Sequence, residues 1–483
     1  MADDFSNLPD DVTESLAAPT PGASTTDGES IAFNADRHLV QPWPEAGAIG
    51  AEARTFIASG DGCYVSDAHG RQLLDGPAGM WCVNVGHRNR ALADTMAAQA
   101  MALSYNSPWY TMNEPSAALA HRLATHAPGD LDHVFFTTGG SSAVETALRF
   151  VQFYNNVRGR PEKKLIVSRD GAYHGSTYLS GSLNGRPRDH DWMDAARHLV
   201  LRLPCPNPFR RPAALSEAAF CDSLIAEFRA LIASTGADRI GAFIGEPVMA
   251  SGGVIVPPAG YLRRMREVCA EHDILYISDE VVTAFGRTGH MFASKDVFGI
   301  EPDMITFAKG VTSGYFPLGG VMISARLMEH LRASNHPDAL FAHGLTYSSH
   351  PIGCAVAMKN MDLLEGGILE HVRAVAPYFQ ERLRTLEALP LVGEVRGVGL
   401  MACVECVADR DSRNPLKLDQ TVGKRIDAHC QELGLLVRPL IHMCVMSPPL
   451  IITRDQIDSM VDILREGIRR TQDDLVREGL WHG

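Results

Sequence analysis

The sequence predicts an α/β fold: a large, doubly wound, mainly parallel sheet, and a smaller α+β domain assembled from both ends of the chain. Three observations carry this. From about residue 91 to 345, short apolar runs rich in β-branched and aromatic residues alternate with helical stretches. Two of those runs end in a charge: Ile274-Leu275-Tyr276-Ile277-Ser278 closes on Asp279, and Met304-Ile305-Thr306-Phe307-Ala308 closes on Lys309. The flanking regions read differently, with Gly-rich turns and short strands before, and helices mixed with isolated strands after. The expected division is a disordered or extended leader over 1–31, the N-terminal part of the small domain over 32–90, the large domain over 91–345 and the C-terminal part of the small domain over 346–483.

The 483 residues suffice for a large core, and 45% hydrophobic with 21% charged residues is ordinary for a globular enzyme. A formal net charge of −13 argues against nucleic-acid or anionic-membrane partners, which demand excess Lys and Arg. No apolar stretch reaches transmembrane length, and the first thirty residues have neither the basic region nor the apolar core of a signal peptide. Ten cysteines in so long a chain make no disulfide framework. Cys403 and Cys406 form a CxxC, but within an apolar run and without a second ligand pair, so no metal site is expected. A cytoplasmic location follows as the expectation.

Each later element has its own signal. Phe135-Phe136-Thr137-Thr138-Gly139-Gly140-Ser141-Ser142 is a strand end, a glycine turn and a helix start, and Ser142 with Glu145 has capping-box spacing. Such a helix start offers free N–H groups and a positive dipole end to phosphate. The GxGxxG spacing of a dinucleotide site is absent, which disfavours a nicotinamide oxidoreductase. Tyr173-His174-Gly175 follows the strand Leu165-Ile166-Val167-Ser168, and Phe243-Ile244-Gly245 leads into Glu246. Asn360 to Ala388 is expected to be helical, with strands near Gly399 and Leu435. A final helix opens at Thr453, a good N-cap, with Ile457, Met460, Val461, Leu464 and Ile468 on one face.

A lysine and an aspartate at neighbouring strand ends need a reason, because burying an unpaired charge is costly. Taken alone, Lys309-Gly310 also reads as an ordinary turn. The string from Asp279-Glu280-Val281-Val282-Thr283-Ala284-Phe285-Gly286-Arg287 to Lys309-Gly310 resembles class III pyridoxal-phosphate aminotransferases, and within them ω-amine:pyruvate transaminases. The resemblance runs from about Arg37 to the C-terminus and implies the PLP-dependent transferase fold type I. It makes Lys309 the residue that holds pyridoxal 5′-phosphate as a Schiff base, with Asp279 paired to the protonated ring nitrogen. It further implies that Gly140 and Ser141 hold the phosphate and that Tyr173 stacks on one ring face, with His174 beside the cofactor. Val281 presses on the other face. Glu246 would lie near the cofactor, behind Asp279 or beside the substrate, although a strand-end network is an equal reading.

The same resemblance makes Thr346 a phosphate ligand for the neighbouring subunit, hence a homodimer with shared sites, or a tetramer. Trp81, Pro108 and Trp109 would line the substrate pocket. Arg438 would grip a substrate carboxylate and swing away for an apolar amine, a task suited to its planar fork. A surface arginine before Pro439 is the plainer reading of that residue, and Arg287 is then the next candidate for the carboxylate. The implied activity is ping-pong transamination between a primary amine or ω-amino acid and pyruvate or another 2-oxo acid. Dialkylglycine decarboxylation or an aminomutase on the same scaffold, or a non-catalytic cofactor-binding protein, are the alternatives.

Overall fold

The computed structural model describes residues 28–49, 54–411, 413 and 421–482. Most of the expected leader therefore lies outside the described residues, and its last four open the helix Gly28–His38. The residues group into two compact units, one of the N-terminal stretch to Ser59 with Ser66–Arg71, the other of Gly60–Val65 and Gln72–Gly483. Among the described residues, no helix is long and apolar enough to cross a membrane.

The second unit is built on a seven-stranded sheet. Its strands are β1 (Leu131–Thr137), β2 (Leu165–Arg169), β3 (Val200–Leu203), β4 (Ile240–Gly245), β5 (Leu275–Asp279), β6 (Met304–Phe307) and β7 (Gly319–Ser324). Their spatial order is β1-β7-β6-β5-β4-β2-β3, and only β7 runs antiparallel to its neighbours. Strands β4 to β6 are buried at every position, which is why they read as unbroken apolar runs. Alternation still assigns the faces. Ala242, Ile244 and Ile277 pack with Ala143, Val144, Ala147 and Val151 of helix α1 (Gly140–Val157). Phe243 and Tyr276 turn the other way, onto Phe228 and Met265 of helices Glu217–Thr235 and Tyr261–Glu271.

Register then sets the site. Asp279 pairs with Thr306, and Gly245 with Ser278, so Glu246, Asp279 and Lys309 arrive side by side at one edge of the sheet. The start of α1 is brought to the same edge because Gly320 of β7 faces both Phe136 and Phe307. A side chain at Gly319 would meet the carbonyl oxygens of Gly139 and Phe307, each at 2.8 Å, so the approach is closed by backbone alone.

A second sheet, antiparallel throughout, orders its strands β8 (Val392–Val398), β9 (Met401–Cys406), β11 (Met443–Met446) and β10 (Arg438–Leu440). Cys403 and Cys406 are buried in β9 as free thiols. The helix expected over 360–388 begins earlier, at Pro351, and is interrupted. Pro351–Leu363 passes through a wide turn at Leu364–Ile368, where Gly367 takes φ 135°, before Leu369–Arg384 resumes. The glycine pair Gly366-Gly367 permits that conformation. The last helix, Arg454–Arg477, is capped as its sequence says, with Thr453 and Gln456 bonding each other's backbone N–H.

Phe307, the last residue of β6, is fully buried with its ring 5.8 Å from that of Phe285. Phe307→Ala is expected to cost about 3–5 kcal/mol of stability, read as a lower urea midpoint at unchanged slope.

Candidate active site

Asp279 ends β5 in a buried position, and its carboxylate is oriented from three sides. Oδ2 lies 2.7 Å from Nδ1 of buried His174; Oδ1 accepts from the Thr306 hydroxyl at 3.1 Å and from the Val281 N–H at 3.2 Å. His174 is itself fixed by its N–H to Asn184 Oδ1 at 2.8 Å, while its Nε2 is buried without a hydrogen-bond partner. Glu246 lies beneath the Tyr173 turn. Its oxygens accept from the N–H groups of Tyr173 (3.1 Å) and Ala250 (3.0 Å). Burial pushes its carboxyl pKa up; His174 opposes this and Asp279 adds to it. His174 thus contacts one carboxylate directly and favours the charged form of the other.

Lys309 follows β6 with φ 46°, a left-handed conformation that costs a non-glycine residue strain and clusters at functional sites. Burial lowers the pKa of its amine; Asp279 opposes the shift and Arg438 adds to it. The turn beneath it is pinned. Asn360 Nδ2 donates to the carbonyls of Gly310 (2.8 Å) and Val311 (3.0 Å). Asn84 packs so tightly against Gly310 that a Cβ there would lie 2.4 Å from Nδ2, which donates to the Phe285 carbonyl at 2.7 Å.

The glycine turn before α1 differs from expectation at its cap. The helix starts at Gly140, with no side-chain cap, so Ser142 is already inside it and its hydroxyl donates back to the Gly139 carbonyl at 2.9 Å. Glu145 reaches out instead to the Thr177 hydroxyl (2.6 Å) and the Ser180 N–H (3.2 Å), tying down the turn after Tyr173. The first N–H groups of α1 therefore keep the anion-binding character of an open helix end. A Cβ at Gly140 would sit 3.0 Å from Val281, and one at Gly175 only 2.8 Å from the Ser141 hydroxyl. Small residues thus let the helix end, Val281 and the Tyr173 turn close around one space. A helix N-terminus, a buried carboxylate and a desolvated lysine amine around it fit the phosphate, ring nitrogen and aldehyde of pyridoxal phosphate.

At the substrate end, buried Trp81 carries the Arg438 guanidinium over its ring, 5.4 Å from the centroid, and Arg438 also touches the Met80 sulfur. Burial pushes the Arg438 pKa down to about 10, with Arg186 adding and Tyr173 opposing. Trp109, Pro108 and Thr346 belong to a different neighbourhood. Trp109 is 59% exposed, with its ring against Gly344, and Thr346 is exposed, its carbonyl accepting from the Tyr105 hydroxyl at 2.9 Å. Pro108 is half-buried beside them.

Arg287 is not a second carboxylate site. It is fully buried, donating to the carbonyls of Leu400 (3.2 Å) and Pro448 and to Asn84 Oδ1 (2.8 Å). Burial pushes its pKa down to about 9, against Cys82 and Asp75. It braces the Asn84 side chain that packs on the Lys309 turn. Sequence reasoning missed Thr306 and Arg186; the pairing of Asp279 with Thr306 could have pointed to the first. Arg287→Met is expected to cost about 2–3 kcal/mol, because buried acceptors lose their donor, measured by urea unfolding.

Comparison with known proteins agrees with this geometry. The profile described as aminotransferase class-III matches residues 48–468. A putrescine–pyruvate aminotransferase of Pseudomonas aeruginosa is 38% identical over 443 residues, covering 91% of this chain and 96% of the relative. A mitochondrial γ-aminobutyrate transaminase of Oryza sativa is 38% identical over 421 residues, 86% and 81% of the two chains. A solved aminotransferase from Vibrio fluvialis, described as a PMP-bound form, superposes with a TM-score of 0.88 at 32% identity, covering 94% of this chain and all of that one. The chain belongs to the class-III aminotransferases, enzymes that depend on pyridoxal 5′-phosphate.

Proposed function

We propose that the protein moves the amino group of a primary amine or ω-amino acid to pyruvate in two half-reactions at one site. The observation that carries this is Arg438. Among the described residues no carboxylate pairs with it; it rests on Trp81 and Met80, and its charge reaches the Lys309 amine. Such an arginine can turn toward a substrate carboxylate or keep its stem over apolar surface. The names of relatives support the two substrate ends, a diamine with pyruvate in one and an ω-amino acid in the other.

Bound pyridoxal phosphate supplies an electron sink for negative charge at the substrate carbon. The chain's own residues do the rest. Lys309, biased by burial toward its neutral amine, takes the proton from the substrate carbon and would return it to the cofactor carbon on the far side of the shared nitrogen. Asp279, oriented by His174, Thr306 and the Val281 N–H, holds a proton on the ring nitrogen. Gly140 and Ser141 would hold the phosphate through the helix end, and Tyr173 and Val281 would flank the ring, with Glu246 holding the Tyr173 backbone. Arg438 binds the 2-oxo acid.

Two copies of the chain form the working unit in this reading. Tyr110 and Met112 are 90% and 87% exposed and follow exposed Trp109 in the chain, apolar groups that a second copy could cover. Burying them against a second copy lets Thr346 complete the neighbouring phosphate site, and lets Pro108 and Trp109 wall the substrate pocket.

A panel of amines incubated with pyruvate should yield alanine; a panel without any alanine-forming member refutes the reading. Arg438→Ala should weaken the pyruvate half-reaction ~10–10³-fold, the worth of a charge-assisted bidentate pair, and affect an uncharged-tail amine far less. Cofactor absorbance in separate half-reactions measures both.

A further inference from the structure

The chain returns to the Tyr173 ring a second time, through Arg186. The Arg186 guanidinium carbon lies 4.8 Å from the centroid of that ring. It is clamped there by Asp189 three residues on, whose Oδ2 accepts from Nε at 2.9 Å and lies 2.7 Å from Nη2. The Asp189 side chain is only 3% exposed and its other oxygen has no hydrogen-bond partner, so the clamp is inside the protein rather than on its surface. One guanidinium, held by an ion pair, thus lies over the Tyr173 ring, and a second, resting on an indole and a thioether, is within electrostatic reach of both Arg186 and Tyr173. Like charges brought together out of water are unfavourable until an anion comes between them.

We infer that Arg186 is a specificity-determining residue, a fixed cation that binds the substrate carboxylate together with the mobile Arg438. This rests on the amine–pyruvate reading above and adds to it a second, immobile half of the carboxylate site. The two arginines differ in kind. Arg186 keeps its place through Asp189 whatever is bound, whereas Arg438 has only soft contacts to lose. Between substrates, the fixed charge repels Arg438 and favours its outward position; a carboxylate reverses the balance by neutralising both. After burial, it is Arg186 that most disfavours the charged form of Arg438.

The test is calorimetric titration of propionate, an unreactive carboxylate, into the holoenzyme, beside separate half-reactions with pyruvate and n-butylamine. Arg186→Met should weaken propionate binding ~10-fold and raise the pyruvate KM by a similar factor with little change in kcat, as expected for one lost charge-assisted contact. Arg186→Lys should recover most of the propionate affinity, since it restores the charge without the fork. The n-butylamine half-reaction should fall far less than the pyruvate one. Unchanged propionate binding in Arg186→Met overturns the inference, as does a wild-type enzyme that binds no propionate. Equal losses with propionate and n-butylamine overturn it too, by making Arg186 a mere support for Tyr173. Because the titration needs no turnover, it decides the role of Arg186 even where pyruvate proves to be the wrong acceptor.

Discussion

The site depends on one constraint: ionisable groups withdrawn from water at the sheet edge must each find compensation. Neighbouring carboxylates show two solutions. Glu280 is saturated, accepting from the N–H groups of Ala293 and Ser294 and from the hydroxyls of Ser294 and Thr283. It anchors a helix end and has nothing left to offer. Asp279 is oriented by an imidazole, one hydroxyl and one N–H, and faces the lysine whose charge it stabilises. In the proposed reaction, the difference between Glu280 as a structural acid and Asp279 as a working one lies in how completely the surrounding donors consume each.

Arginines divide in the same way. Arg287 spends its two terminal nitrogens on two carbonyls and an asparagine, and becomes a brace. Arg438 lies on sulfur and an indole face, contacts that hold it without consuming its hydrogen-bonding fork. Family membership fixes the cofactor and the reaction class, while the substrate is decided by such local choices rather than by the fold.

Much of this was legible in the sequence because it depends on local order. Strands buried on both faces must be apolar, so Asp279, Glu246 and Lys309 stood out as charges at their ends, and the Thr453 cap and its helix followed from spacing alone. What escaped notice depends on register or on distant partners. The Ser142–Glu145 spacing fits a capping box, yet tertiary contact with Thr177 and Ser180 draws Glu145 away and the helix starts three residues sooner. Arg287 looked available because nothing in the chain order says that Leu400 and Pro448 close over it. The Gly366-Gly367 pair was the signal of a break inside a helical pattern, outweighed by the periodicity on both sides.

The pinned turn beneath Lys309 has a stereochemical consequence. Asn84 and Asn360 hold Gly310 and Val311, and the left-handed backbone fixes the direction in which the lysine leaves the chain. The side chain is a pendulum on an immovable pivot, free to sweep an arc but not to cross the plane before it. In the proposed reaction, a proton carried on such an arm reaches the substrate carbon from one side only. The side from which the hydrogen comes is therefore written in the backbone of a four-residue turn, while the walls of the pocket decide which face of the substrate is turned toward it.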